Sequence, residues 1–164
     1  ALVEFLLATG LRVSELCKLD VGDIDFYRME FYVRGKGGKE RLCLLDDVAK
    51  FHLKLYLKER QRRERLSEDE IRRRPLFVSA KAPHTRMTIA GVQYLLKELG
   101  RKAAVANVHP HRFRRTFACD MISRGMPVEQ LMVLMGHSKI ETTMIYVTVK
   151  TSSVCEAYRR LRAG

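Results

Sequence analysis

Residues able to act on a phosphate ester are concentrated in four stretches far apart in the chain: Arg12 in ATGLRVSEL, Lys36 in GKGGKER, His111 and Arg114 in HPHRFRRTFA, and His137 and Tyr146 in LMGHSKIETTMIY. Cleaving a phosphodiester needs a nucleophile, positive charge on the non-bridging oxygens and a proton for the leaving oxygen. Tyr146 supplies a phenol, whose pKa near 10 means that it needs a cationic pocket and a nearby histidine to act at neutral pH. Arg12 and Arg114 could grip a phosphate with paired N–H groups as its charge grows. No metal ion is needed in such a site. Each stretch also has an ordinary reading. Arg12 could simply pair with Glu15 one helical turn away, and Lys36 could be a soluble turn residue. His111 could be a hydrogen-bonded structural histidine, and the run from Pro127 to Tyr146 has the look of a helix-turn-helix with Gly136 at its turn. His109, His111 and His137 could share a metal, but no carboxylate or cysteine spacing supports that reading.

The elements that must position these residues follow from periodicity and punctuation. The opening ALVEFLLATGLRVSELCKL begins directly in helical apolar spacing without an initiating Met, so a longer parent chain is expected. Thr9 and Gly10 break the first helix, and a second is predicted over Leu11–Leu19, with Arg12 and Glu15 on one face. Three short β-rich runs, Phe26–Tyr27, Phe31–Val33 and Leu42–Leu45, predict a three-stranded antiparallel meander with Lys36 and Lys39 at its last tip. Glycines at that tip would let it close over a ligand. A helix capped by Asp46 is expected to run to about Arg63, and the mixed-charge run Lys58–Arg74 reads as a solvated helix end and loop. LFVS is expected to be a short strand or an extended segment. Helices are then predicted over Ile89–Val105, capped by Thr88, and over Arg112–Gly125, Pro127–Met135, Ile140–Val147 and Ser153–Arg162. His111 and Arg114, three apart, would share a face of a helix that Pro110 helps to start. The fold class expected is α+β, mostly α, with one small sheet.

Composition narrows the partners. The chain has 164 residues, 46% of them hydrophobic, enough for one domain with one core. Its 31 Lys and Arg against 19 Asp and Glu give a net charge of +12, the footprint of a polyanionic partner, nucleic acid first. No run approaches the roughly 18 apolar residues of a membrane span, so no membrane partner is expected. Cys17, Cys43, Cys119 and Cys155 are scattered without a C-x-x-C pair, which predicts neither zinc knuckle nor disulfide framework and points to a reducing cytoplasm.

In order and spacing, with 24 residues from Arg12 to Lys36 and nine from His137 to Tyr146, the four stretches resemble the active-site signature of the tyrosine recombinase (phage integrase) family, including its Xer branch. The resemblance spans most of the chain. Phe113 and Arg115 depart from it, standing where the family often has Leu and His. It implies the helical catalytic domain of that family over residues 1–164, with the core-DNA-binding domain that precedes it absent, and a C-terminal tail segment at 151–164. It also implies site-specific cleavage and rejoining of double-stranded DNA through a 3′-phosphotyrosine on Tyr146, without a cofactor, by a tetramer assembled on DNA, with accessory recombination proteins as further partners. Lys36 would protonate the leaving 5′-oxygen, His111 would serve as general base or acid, and His137 would donate to the phosphate. Glu15 would orient Arg12. Three other readings stay open at this stage. They are a type IB topoisomerase with the same chemistry, a catalytically silent DNA-binding module and a metal-dependent nuclease, for which clustered carboxylates are missing.

Overall fold

The computed structural model describes residues 1–35, 38, 40–137 and 141–144; Lys36, Lys39, Tyr146 and the tail at 151–164 lie outside these. The first helix, α1 (Leu2–Thr9), ends where Gly10 takes a left-handed φ of 57° and its N–H bonds to Leu6 O. Only glycine suits this corner, because a Cβ there would also lie 2.3 Å from the Phe117 ring. The second helix is shorter than predicted: α2 covers only Val13–Leu16, with Arg12 as its extended N-cap. The Glu15 carboxylate reaches back to the Arg12 N–H at 2.9 Å, satisfying a donor that a helix start leaves open.

The sheet has two strands rather than three: β1 (Glu30–Arg34) pairs antiparallel with β2 (Glu40–Leu44), Tyr32 opposite Leu42 and Val33 opposite Arg41. The expected first strand at Phe26–Tyr27 is a turn. Asp25 Oδ1 accepts from the N–H groups of Tyr27 and Arg28, Met29 has φ 59°, and Tyr27 is 94% exposed, so the chain reverses before a ladder can form. At the hairpin tip Gly38 N–H bonds to Gly35 O at 3.3 Å.

The third helix, α3 (Asp47–Glu64), starts where the Asp46 side chain accepts from Ala49 N–H at 2.7 Å, and it buries Ala49, Leu53 and Leu57. The mixed-charge run Lys58–Arg74, which begins inside α3, is more ordered than the solvated helix end and loop expected. Arg60 is buried, donating to Glu64 at 3.0 Å and to the Pro75 carbonyl at 2.6 Å, and a capping box at Ser67 and Glu70 starts α4 (Glu68–Arg72). Leu76–Ser79 forms no strand: the chain bends at Leu76 and Phe77, with isolated bridges from Asp20 to Pro75 and from Val78 to Arg86. Thr88 caps α5 (Ile89–Lys102) as expected, and α6 (Pro110–Ser123) starts two residues earlier than predicted, with Pro110 in its first turn. The last described helices are α7 (Val128–Met135), closed by Gly136 at φ 62°, and α8 (Glu141–Met144). The rest of the expected Ile140–Val147 helix and the tail helix fall outside the described residues.

Among the described residues the buried apolar side chains form two clusters. The larger joins α1, α2, the sheet, α3 and α5 around Phe5, Leu6, Phe31, Leu53 and Leu96, with the Phe5 ring 5.5 Å from that of Phe31. The smaller, Phe117, Ala118, Leu131 and Met135, joins α6 to α7. Among the described residues no helix is long and apolar enough to cross a membrane.

Candidate active site

Four parts of the fold bring the site together: the α1–α2 corner, the base of the hairpin, the buried face of α6 and the glycine turn that ends α7. Arg12 leaves the α2 N-cap 37% exposed, its Nη1 donating to Glu15 at 3.1 Å and its Nη2 to the Gly136 carbonyl at 3.2 Å. Arg114 projects from the buried side of α6 and is only 5% exposed. It donates to Gly10 O and to Met135 O, each at 2.6 Å, so the carbonyls of two helix ends fix its guanidinium. Each arginine therefore spans from its own element to a distant helix terminus. Carbonyls at helix C-termini lack intrahelical partners, which makes them ready acceptors for cations.

His137 stands between these arginines. Its Nε2 lies 3.0 Å from Arg114 Nη2 and its Nδ1 2.8 Å from the hydroxyl of the fully buried Thr143 on α8. A guanidinium can only donate, so Nε2 is the acceptor, and the neutral ring carries its proton on Nδ1 and donates it to Thr143. Burial, then the charges of Arg114, Arg12 and Arg41, push the imidazole down to about 4. At neutral pH the ring is uncharged. Burial alone would raise the Glu15 carboxyl, but hydrogen bonds and charge from Arg41 and Arg12 outweigh it and hold it below the usual carboxylate range.

Arg12, Glu15, Gly136, His137 and Thr142 line a cavity of about 780 Å³ together with Arg34, Gly35 and Arg41 of the hairpin. Gly35 directly precedes Lys36, so the hairpin base borders the cavity, although Lys36 itself, like Tyr146, lies outside the described residues. Arg12, Glu15, Arg114 and His137 are thus brought together. His111 stands exposed on α6 and lines a second groove with His109, Arg112 and Arg115. Among the described residues, no group of three or more His, Cys, Asp or Glu is arranged to hold a metal ion.

Arg41 was not legible as a site residue in the sequence. It is nearly buried on β2, and its two terminal nitrogens meet the two Glu15 oxygens at 2.7 and 2.9 Å while Nε donates to Leu134 O at 3.0 Å. Its one signal was position: an arginine two residues after Lys39, where the strand's alternation calls for an inward side chain.

Comparison with known proteins gives this geometry a lineage. Residues 1–153 match the phage integrase family. The chain is 36% identical to a tyrosine recombinase XerC of Bacillus licheniformis over 160 residues, 96% of this chain and 51% of the relative. It is 32% identical to a XerC of Corynebacterium efficiens, covering 98% and 49%. The chain thus spans about half the length of the curated relatives it matches. Among solved structures it is similar to the XerA recombinase, with a TM-score of 0.78 and 30% identity over 98% of this chain and 57% of that one. It is also similar to the Tn1549 transposon integrase in complex with circular intermediate DNA, with a TM-score of 0.75 and 25% identity over 98% and 58%. The match over residues 1–153 decides the kinship that the geometry suggests: the chain belongs to the phage integrase family and is similar to the Xer tyrosine recombinases.

Proposed function

We propose that this domain cleaves and rejoins double-stranded DNA at specific sites through a 3′-phosphotyrosine formed on Tyr146. The observation that carries the reading is the convergence of Arg12, Arg114 and His137, drawn from three distant segments, on the one turn at Gly136. A cluster of two arginines and a neutral imidazole, with one wall open to solvent, suits a phosphodiester better than any uncharged ligand. The relatives named tyrosine recombinase and the DNA in the Tn1549 integrase structure support the same reading.

In the proposed reaction the Tyr146 oxygen attacks the scissile phosphorus and loses its proton to a base, His111 being our candidate. The bond to the 5′-oxygen breaks, and that oxygen leaves with a proton from Lys36. Arg12 and Arg114 stabilise the charge that builds on the non-bridging oxygens. The bond energy is kept in the phosphotyrosine, so a 5′-hydroxyl can attack it and release the enzyme without a nucleotide cofactor. His137 begins as an acceptor from Arg114. An incoming phosphate draws Arg114 toward itself and offsets the surrounding positive charge, which raises the affinity of Nε2 for a proton and lets it donate to the phosphate.

Residues 1–164 would then be a catalytic domain that works with a DNA-binding partner domain, as a tetramer on DNA in the cytoplasm, with accessory recombination proteins among its partners. The segment 151–164 would dock on a neighbouring protomer, so its removal should disturb assembly before it disturbs chemistry on a single DNA end.

The test uses the chain with a library of nicked duplexes that trap covalent product, read on denaturing gels. A covalent complex is expected with the native sequence, and none with Tyr146→Phe, whose DNA binding should be nearly intact because only the nucleophilic oxygen is gone. A Phe variant that still couples to DNA would assign the nucleophile elsewhere. Relaxation of supercoiled plasmid without recombinant product would favour the topoisomerase reading instead.

A further inference from the structure

We infer that Arg41 is a positioning residue, a buried strut that fixes the lysine hairpin against the arginine pair; the inference rests on the recombinase reading for its catalytic half. Arg41 sits on β2 five residues after Lys36, and its side chain is 8% exposed. Its fork holds both oxygens of Glu15, and its Nε holds the Leu134 carbonyl. Glu15 in turn accepts from the N–H and the Nη1 of Arg12. One carboxylate therefore receives four hydrogen bonds, two from the residue that orients it and two from the residue that it orients.

The neighbouring turn is shaped to the same strut. A Cβ on Gly136 would come 2.8 Å from Arg41 Cδ and 3.2 Å from its Nε, so the guanidinium stem fills the space beneath the turn whose carbonyl receives Arg12. By contrast, the ion pair nearer the hairpin tip, Arg34 to Glu40, lies in solvent and adds little restraint. Buried, bidentate and shared between α2, β2 and α7, Arg41 sets how far the hairpin base stands from the phosphate-binding cluster. A lysine cannot replace it, because an ammonium lacks the planar fork that engages two carboxylate oxygens and a carbonyl at once.

Two measurements on Arg41→Gln and Arg41→Lys test this. The first is amide hydrogen exchange in the chain without DNA: both variants should lose protection in residues 30–35, 40–44 and 134–137 while α1 and α3 keep theirs. Unchanged exchange in the hairpin, or loss throughout the molecule, overturns the strut. The second is covalent capture on nicked duplexes carrying either oxygen or sulfur at the 5′-bridging position. A displaced Lys36 starves the leaving oxygen of its proton, whereas a sulfur leaving group needs little protonation. Both variants should therefore cleave ordinary DNA roughly a hundredfold more slowly, bind it nearly as well, and recover much of the loss on sulfur, as Lys36→Ala should. Equal defects on both substrates, or an Arg41→Lys variant that behaves as the native chain, would sink the proposal. Failure of the native chain to form any covalent complex would instead refute the recombinase reading, and the exchange experiment would still judge the strut.

Discussion

His137 illustrates how much chemistry a side chain takes from its neighbours. In water its ring would be about half protonated near pH 6.5. Here burial and three guanidinium groups keep it neutral until about 4. A histidine whose folded value is depressed binds fewer protons than its unfolded counterpart at pH values between the two, so it withdraws stability as pH falls from about 6.5 toward 4. We expect ring nitrogen and carbon shifts of His137 to stay those of a neutral Nδ1–H tautomer from pH 8 to about 5. Inorganic phosphate should move the titration upward, and a midpoint near 6.5 in the free protein would contradict the buried, cation-lined environment. Arg12, Glu15, Arg114 and His137, which the structure brings together, were named in the sequence by the order and spacing of the four stretches and the resemblance these carry, while each alone had an ordinary reading. Thr143 and Arg41 were not. Their meaning lies in what they touch, and for Arg41 the partner is 26 residues away on another element, where local pattern carries no trace of it.

Among elements, the helices were the most legible, because caps announce them. Asp46 and Thr88 do what their positions predict, and Pro110 starts α6 as expected. The sheet was misread because Phe26 and Tyr27 have the composition of a strand, while the decision to turn is made by hydrogen bonds to the Asp25 carboxylate and the left-handed Met29. Helix α4 was missed because charge outweighed its Ser67–Glu70 capping box, which fastens an otherwise polar segment. The glycine turn after α7 invites a direct test. Gly136→Ala meets both a positive φ and the Arg41 stem, so it should destabilise the fold by about 1–3 kcal/mol. Its carbonyl should also shift from Arg12, so covalent capture should fall further than stability alone explains. A variant that is destabilised yet cleaves normally at a temperature where it is fully folded would separate the turn from the chemistry.

At the scale of the molecule, a net charge of +12 predicts salt-sensitive DNA binding. Each phosphate neutralised by Lys or Arg releases condensed counterions, so affinity for duplex DNA should drop steeply between low and moderate salt. An affinity that ignores salt would mean that recognition is not made to the backbone. The two apolar clusters carry a further consequence. Arg12, Glu15 and Arg41 belong to elements of the larger, while Arg114 lies on α6 and His137 follows α7, the two helices of the smaller. The ties between these groups include the packing of Phe113 and Phe117 of α6 against the larger core and Gly10, and guanidinium donors reaching the carbonyls of Gly10, Leu134 and Gly136. Because α6 is itself packed on α1, with Phe113 against the larger core and the Phe117 ring against Gly10, α7 is the element that should open first, at a lower free energy than the rest. Native-state exchange in mild denaturant should show its amides merging into one early isotherm. Each such opening would take His137 and the Met135 and Gly136 carbonyls away from Arg114 and Arg12 while both arginines keep their places on the rest of the fold, leaving a folded molecule whose phosphate-binding cluster is reversibly undone.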